Sequence, residues 1–302
     1  MRVLITGGTG FLGSHLVGAL RSRGDECVVV SRGGRDLWGD SGVTVVRGDP
    51  AAAGEWRRWV SGSDAVVHLA GAPIVKGARR WTRARKRVLV ASRVEGARRL
   101  AAAGREASPR PRAVLSGSAI GYYGPRGDDI VAEGDPPGSD FLATLAVEWE
   151  GAALEAQDVT RVALLRSGIV LGRGSTAFDP LLPLFRLGLG GPWGDGRQWW
   201  SWIHVADHVG LVLHTLDKGI TGPINLTAPN PVTVGEFARA MGRAVGRPAA
   251  MRMPGGLLRL VLGEAAHAML ELQRVVPRRA LESGYRFRFP ALAEALADIL
   301  GR

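Results

Sequence analysis

Short apolar runs alternate with amphipathic stretches through the first half of the chain. The apolar runs predict strands at 2–6, 26–31, 43–47, 64–70, 112–117 and 160–167. Between them, spacing of three and four residues predicts helices at 12–23, 52–60, 80–103 and 140–157. Strands that are apolar throughout, rather than alternating with polar residues, are buried on both faces. Alternation of strand and helix therefore implies an α/β fold with a parallel sheet sandwiched between helices. After residue 170 the pattern changes. Residues 172–196 are rich in Gly and Pro and read as loops around one short helix, followed by a strand at 199–204, a helix at 205–217 and a strand at 222–227. Thr233 caps the next helix, and the last fifty residues are mostly helical, with a break at Pro277-Arg278-Arg279. This organisation predicts a unit spanning 1–170 and a smaller, mostly helical lobe at 171–302 interwoven with the sheet, its last part (about 252–302) forming a C-terminal extension.

The chemistry starts in the first loop. Thr6-Gly-Gly-Thr-Gly-Phe-Leu-Gly13 follows an apolar strand and opens a helix. Glycines at 7, 10 and 13 allow a tight reversal, approach of a diphosphate to bare backbone, and close packing of helix on strand. The amides at the helix start then face the phosphates. This context marks a Rossmann-type, doubly wound dinucleotide site built by Gly7, Thr9, Gly10, Phe11, Leu12 and Gly13. Dinucleotide folds that take NAD place an acid at the end of the second strand, whereas this strand ends in Ser31-Arg32. A hydroxyl and a guanidinium bind a 2′-phosphate that a carboxylate would repel, so the expected cofactor is NADP(H). Asp49 reads either as an adenine contact or as a turn cap.

Composition narrows the class. A chain of 302 residues can bury a large core, and 46% hydrophobic with 22% charged residues is ordinary for a globular protein. No apolar stretch approaches the roughly 20 residues of a membrane span, no leader pattern precedes the first strand, and the single cysteine, Cys27, suits a reducing compartment. A cytoplasmic protein without membrane association is expected. The net charge of +11 is carried almost wholly by arginine, densest between Lys76 and Arg99. Those residues spread around a helix instead of forming a stripe, which favours a solvated helix face with phosphate contacts over a nucleic-acid surface. No Cys/His/Asp spacing points to a metal, and His68, in an apolar strand, reads as a core histidine.

Asp64-Ala-Val-Val-His-Leu-Ala-Gly71, Ser116-Gly-Ser-Ala-Ile-Gly-Tyr-Tyr-Gly124 and Trp202-Ile-His-Val-Ala-Asp207 join the opening motif in a pattern that resembles the extended short-chain dehydrogenase/reductases, in the nucleotide-sugar epimerase branch. Arg80-Trp-Thr82, Leu187-Gly-Leu-Gly-Gly-Pro192, Gly263-Glu264, Gln273-Arg-Val-Val-Pro277 and Ser283-Gly-Tyr-Arg-Phe287 resemble an atypical subgroup with a C-terminal extension of uncertain role. The resemblance implies that Leu69, Ala70 and Gly71 lie beside the cofactor and that Val170 closes over its nicotinamide end. Arg93 stands where relatives carry Asn; it is either a phosphate or substrate contact or a surface salt bridge. Arg166 and Arg197 resemble arginines that meet a nucleotide-sugar diphosphate, implying a small anionic or sugar-like substrate. A homodimer would pack helices 80–103 and 140–157 against their symmetry mates.

The catalytic pattern departs from the family. Members use a Ser, a Tyr and a Lys four residues later; here Ser118 is kept, but the other two positions read Phe141 and Leu145. Phenylalanine has no proton to exchange, so another acid is needed if hydride transfer persists. Tyr123, or Tyr122, is the candidate from sequence. His204 and Asp207 read as a structural network, and Trp193, Trp199, Trp200 and Trp202 as core packing or a pocket wall. Two functions follow from the resemblance: an NADP(H)-dependent oxidoreductase or epimerase, or a catalytically degenerate NADP(H)-sensing regulator, as some relatives are linked to cell or plastid division.

Overall fold

The computed structural model describes residues 1–34, 36–39, 42–74 and 80–301. The first half runs β1 (Arg2–Thr6), α1 (Phe11–Ser22), β2 (Glu26–Ser31), β3 (Val43–Arg47), β4 (Ala65–His68), α2 (Arg83–Val90), α3 (Gly96–Glu106), β5 (Ala113–Ala119), β6 (Ile130–Val131), α4 (Phe141–Leu154) and β7 (Arg161–Ser167). The second half runs β8 (Ile169–Leu171), α5 (Leu182–Arg186), β9 (Trp199–Trp200), β10 (Trp202–His204), α6 (Val205–Asp217), β11 (Gly222–Leu226), β12 (Val232–Thr233), α7 (Val234–Val245), α8 (Gly255–Leu262), α9 (His267–Leu270), β13 (Arg274–Val275), α10 (Arg278–Glu282) and α11 (Leu292–Leu300).

Seven strands form one parallel sheet in the order β11-β7-β5-β4-β1-β2-β3. The apolar runs now have their explanation, because alternate residues feed opposite layers. Val3 and Ile5 of β1 pack with Leu16, Val17 and Leu20 of α1 and with Val209 and Val212 of α6. Leu4, between them, packs into the other layer with Leu100 of α3 and Trp149 of α4. Chain order reverses between β1 and β4, so the carboxyl ends of these strands open a crevice, the place where doubly wound sheets bind ligands.

The predicted strands reappear almost residue for residue, and the departures have local causes. The helix expected at 52–60 is a 3-10 segment, Glu55–Val60, because Gly54 is fully extended and stops a helix from starting earlier. The long helix expected at 80–103 is α2 and α3 joined by a π-helical segment, Ala91–Glu95, and such bulges frequently accompany functional sites. The strand at 199–204 is interrupted at Ser201, whose hydroxyl donates to the Gln273 carbonyl. Within the helical tail, β13 pairs with β6.

The C-terminal segment is tied to the sheet by polar anchors. Asn225 Nδ2 donates to the Val276 carbonyl at 3.0 Å, and Glu133 Oε1 accepts from the amides of Asn225 and Arg279. Asp207 accepts from the amides of Arg288 (2.7 Å) and Phe289 (2.8 Å) and from the Tyr285 hydroxyl. His204 caps α6 by accepting from the Ala206 amide.

Candidate functional site

The opening turn is shaped by exclusion of side chains. Gly7 has φ +73°, and a Cβ there would lie 2.8 Å from the Ala70 amide nitrogen. A Cβ on Gly13 would strike the Gly7 carbonyl oxygen, so α1 presses directly on the turn. Gly10 donates to the Gly7 carbonyl at 2.9 Å and forms the N-cap of α1, which has neither a side-chain cap nor an acid in its first turn. The first amides of a helix lack intrahelical partners, so here they remain for an anion. The structure thus brings Gly7, Gly10, Phe11, Leu12 and Gly13 together with Leu69-Ala70-Gly71; the Leu69 amide donates to the Thr6 carbonyl at 3.1 Å. This cradle fits the diphosphate of a dinucleotide, since a Cβ would fill it.

Thr9 and Ser31 approach at 3.5 Å between their hydroxyl oxygens, linking the turn to the end of β2. Arg32 follows, exposed. Asp49, by contrast, uses its carboxylate to accept from the Ala51 amide, which is the turn-cap reading. Val170 lies in β8, and the same segment continues to Gly172, where a Cβ would sit 3.0 Å from the Phe11 ring.

Arg93 corrects the surface reading. It is 8% exposed, and no carboxylate among the described residues pairs with it. Its guanidinium lies 5.3 Å from the Trp149 ring, donates to the Leu89 carbonyl at 3.4 Å and borders Gly71. Burial, and then the charge of Arg85, pull its pKa down to about 10. The π-helical segment that carries it also places Ser92, which accepts from the Ala72 amide. Others of the arginine cluster bond to neighbours, Arg80 to the Val261 and Leu260 carbonyls, Lys86 to Glu264, and Arg98 to Glu95 and Glu155, while Arg83 and Arg87 are exposed. Lys76 and Arg79 lie outside the described residues.

Ser118, Tyr123 and Arg166, expected from sequence in catalytic or substrate roles, belong to one buried hydrogen-bonded network. Ser118 is buried and donates to Glu150 Oε1 at 2.6 Å. Tyr123 is fully buried; its hydroxyl donates to Asn225 Oδ1 at 2.7 Å and accepts from Arg166 Nη1 at 3.0 Å. Burial pushes its pKa up to about 12. Tyr123 thus sits as a buried phenol bonded to Asn225 and Arg166. Arg166 is likewise enclosed: it grips buried Glu150 and stacks 3.4 Å from the centre of the Tyr122 ring. Tyr122 is half-buried under that guanidinium. Arg197 remains exposed, far in sequence and role from the Arg166 network. His68 is the core histidine expected, its Nδ1 2.6 Å from Thr6 Oγ1 and its pKa lowered by burial to about 4. Trp193 and Trp200 pack on Phe237 in the core.

Beside Phe141 lies a cavity of ≈ 180 Å³ that sequence reasoning missed. Trp81, Phe141 and Leu142 form apolar walls, while Glu264, His267 and Glu271 come from the C-terminal extension. The rings of Trp81 and Phe141 are 5.3 Å apart, and Lys86 Nζ sits 4.6 Å from the Phe141 ring centre while bonded to Glu264 at 2.6 Å. Leu145, one turn on, is buried in the core. Trp81 and Glu264 belong to motifs noted in the sequence, but no periodicity relates residues 80 and 264. Among the described residues no group of three His, Cys, Asp or Glu side chains could hold a metal ion.

Comparison with known proteins agrees with this geometry. Residues 3–226 match the NAD dependent epimerase/dehydratase family, and 253–299 match a domain of unknown function, DUF1731. The chain is 39% identical to the human epimerase family protein SDR39U1 over 99% of its own length and 100% of that protein's. A chloroplastic homolog from Arabidopsis thaliana is 38% identical, over 99% of this chain and 87% of the relative. The crystal structure of human SDR39U1 with NADPH superposes with a TM-score of 0.91 at 38% identity, covering 100% of both chains. MoeE5 in complex with UDP-glucuronic acid and NAD gives a TM-score of 0.80 at 26% identity, covering 100% of this chain and 98% of the other. With a parallel sheet, a glycine turn and a match over most of its length, the chain belongs to the NAD dependent epimerase/dehydratase family.

Proposed function

We propose that this protein binds NADP(H) across the carboxyl ends of β1 and β4 and uses it as an oxidoreductase or epimerase on a small substrate in the cytosol. The observation that carries the cofactor choice is the end of β2. Ser31 and Arg32 stand where an acid would select NAD, and Arg32 is exposed to receive a 2′-phosphate. The NADPH held by the human relative supports the same choice. The diphosphate rests on the amides of Phe11, Leu12 and Gly13, and Arg93 supplies the buried positive charge beside Gly71. Val170 and the residues after it close over the nicotinamide half. When bound, the cofactor supplies hydride. The nucleotide sugar bound by MoeE5 supports a hydroxylated or carbonyl substrate, with exposed Arg197 available to an anionic part of it.

A regulator that senses NADP(H) without chemistry is the competing reading, favoured by the burial of Leu145 where relatives place lysine. Transfer of deuterium from labelled NADPH to a carbonyl compound separates the two. Incorporation into product establishes the enzyme; NADPH binding with no transfer to any carbonyl supports the regulator.

A further inference from the structure

Two partly exposed residues of the C-terminal extension that line the cavity beside Phe141 are hydrogen-bonded to each other. His267 Nδ1 lies 2.9 Å from Glu271 Oε2, one helical turn away. The carboxylate can only accept, so Nδ1–H donates to it, which fixes the ring's tautomer and leaves Nε2 for a second partner. Both side chains line the cavity, together with Trp81 and Phe141. Gly121 and Leu142 line it too, which places it at the carboxyl end of β5, since the turn Ile120–Tyr123 directly follows that strand. A dinucleotide laid over the β1–β4 reversal, with its adenosine at β2, extends its reactive end in this direction. Tyr123 and Ser118, the groups that sequence suggested for the chemistry, are hydrogen-bonded to Asn225 and Glu150 and do not line the cavity.

We propose that His267, positioned by Glu271, is the catalytic acid–base of this site, with a small planar carbonyl substrate held in the cavity against the Trp81 and Phe141 rings. The C-terminal extension then supplies the proton-transfer group that Phe141 cannot. This assignment rests on the NADP(H) reading above. In the reducing direction the carbonyl carbon gains hydride from the reduced nicotinamide, which becomes oxidised. The carbonyl oxygen takes the Nε2 proton of His267, an alcohol forms, and the neutral imidazole recovers its proton from solvent. The other charged groups facing this dyad are Glu264, neutralised by Lys86 of α2, and Asp140, whose carboxylate caps α4 by accepting from the Ala143 amide. Among the described residues the cavity is thus lined by carboxylates rather than free cations, which suits a neutral carbonyl compound better than a diphosphate.

The test uses the full-length protein, NADPH and 4-nitrobenzaldehyde as probe. Three quantities are followed: NADPH dissociation constant, NADPH oxidation, and the His267 imidazole resonances during titration with the probe in nucleotide-free protein. The expected result is that the probe shifts the His267 resonances, and that His267→Gln lowers kcat by about a hundredfold or more while NADPH affinity stays unchanged. Glu271→Gln lowers kcat while the KM for the probe and the NADPH affinity keep their wild-type values. A wild-type rate in His267→Gln, unmoved His267 resonances, or a wild type that binds NADPH yet never oxidises it with the probe overturns the assignment. Failure to bind NADPH at all overturns instead the cofactor reading beneath it.

Discussion

Arg166 grips Glu150 through two parallel hydrogen bonds, Nε to Oε1 and Nη2 to Oε2, each 2.8 Å long. The pair is sealed from solvent and joins β7 to α4; Ser118 of β5 donates to the same carboxylate, and Tyr123 receives the third guanidinium branch. Burial acts to lower the Arg166 pKa, yet the hydrogen bonds to Glu150 more than offset it and the net direction is up.

Removing one partner of this pair leaves an uncompensated buried charge. Glu150→Gln or Arg166→Met should each destabilise the protein by about 3–5 kcal/mol, read from the urea midpoint. The double variant should lose less than the two single losses combined. Unchanged midpoints in the single variants would show the pair to be solvated.

Tyr123→Phe removes a hydroxyl that serves both Asn225 and Arg166. The expected loss is about 1–3 kcal/mol of stability, because polar partners are left buried and unpaired. NADPH affinity should stay at the wild-type value. A Tyr123→Phe protein of normal stability with abolished NADPH oxidation would restore this phenol to the chemistry.

Sequence periodicity exposed the sheet because its strands are apolar on both faces, and the glycine turn because backbone approach needs missing side chains at fixed spacing. The glycine turn proposed to bind the cofactor was legible for that reason. The residues proposed for the chemistry were not. Ser118, Tyr123 and Arg166 are the kinds of residue that do chemistry, and only their burial and mutual bonding reveal a structural cluster. His267 and Glu271 carry no motif in the first half of the chain, and the pairing of β13 with β6 that brings the tail across is two residues long. Arg93 was readable as a cation but not as a buried one, since its enclosure depends on Trp149 and the π-helical segment.

His68 and His208 are both buried, and burial lowers each pKa to about 4. Their unfolded pKa is about 6.5, so between those values the unfolded chain binds more protons than the folded one. Stability is therefore full above about pH 6.5 and is lost as pH falls towards 4. Thermal melts from pH 7.5 down to about 4.5 should show a falling Tm, less steep in His208→Gln. A Tm that is flat over this interval contradicts the buried, neutral assignment of both rings.

Arg93 sits buried with no carboxylate partner among the described residues, a costly arrangement that an anion would relieve. Arg93→Met should leave the nucleotide-free protein as stable or more stable, while weakening NADPH binding by about tenfold or more. Calorimetry with a parallel melting curve checks both. Reduced stability with unaltered NADPH affinity would make Arg93 a structural residue.

The central claim, that the end of β2 selects a 2′-phosphate, is tested most directly by the NADPH and NADH dissociation constants of the wild type and of Arg32→Ala. The account predicts tighter NADPH binding in the wild type, and an Arg32→Ala protein that loses about tenfold or more of it while holding NADH as before. Equal affinities for both nucleotides in the wild type, or a preference that survives loss of the guanidinium, would contradict it.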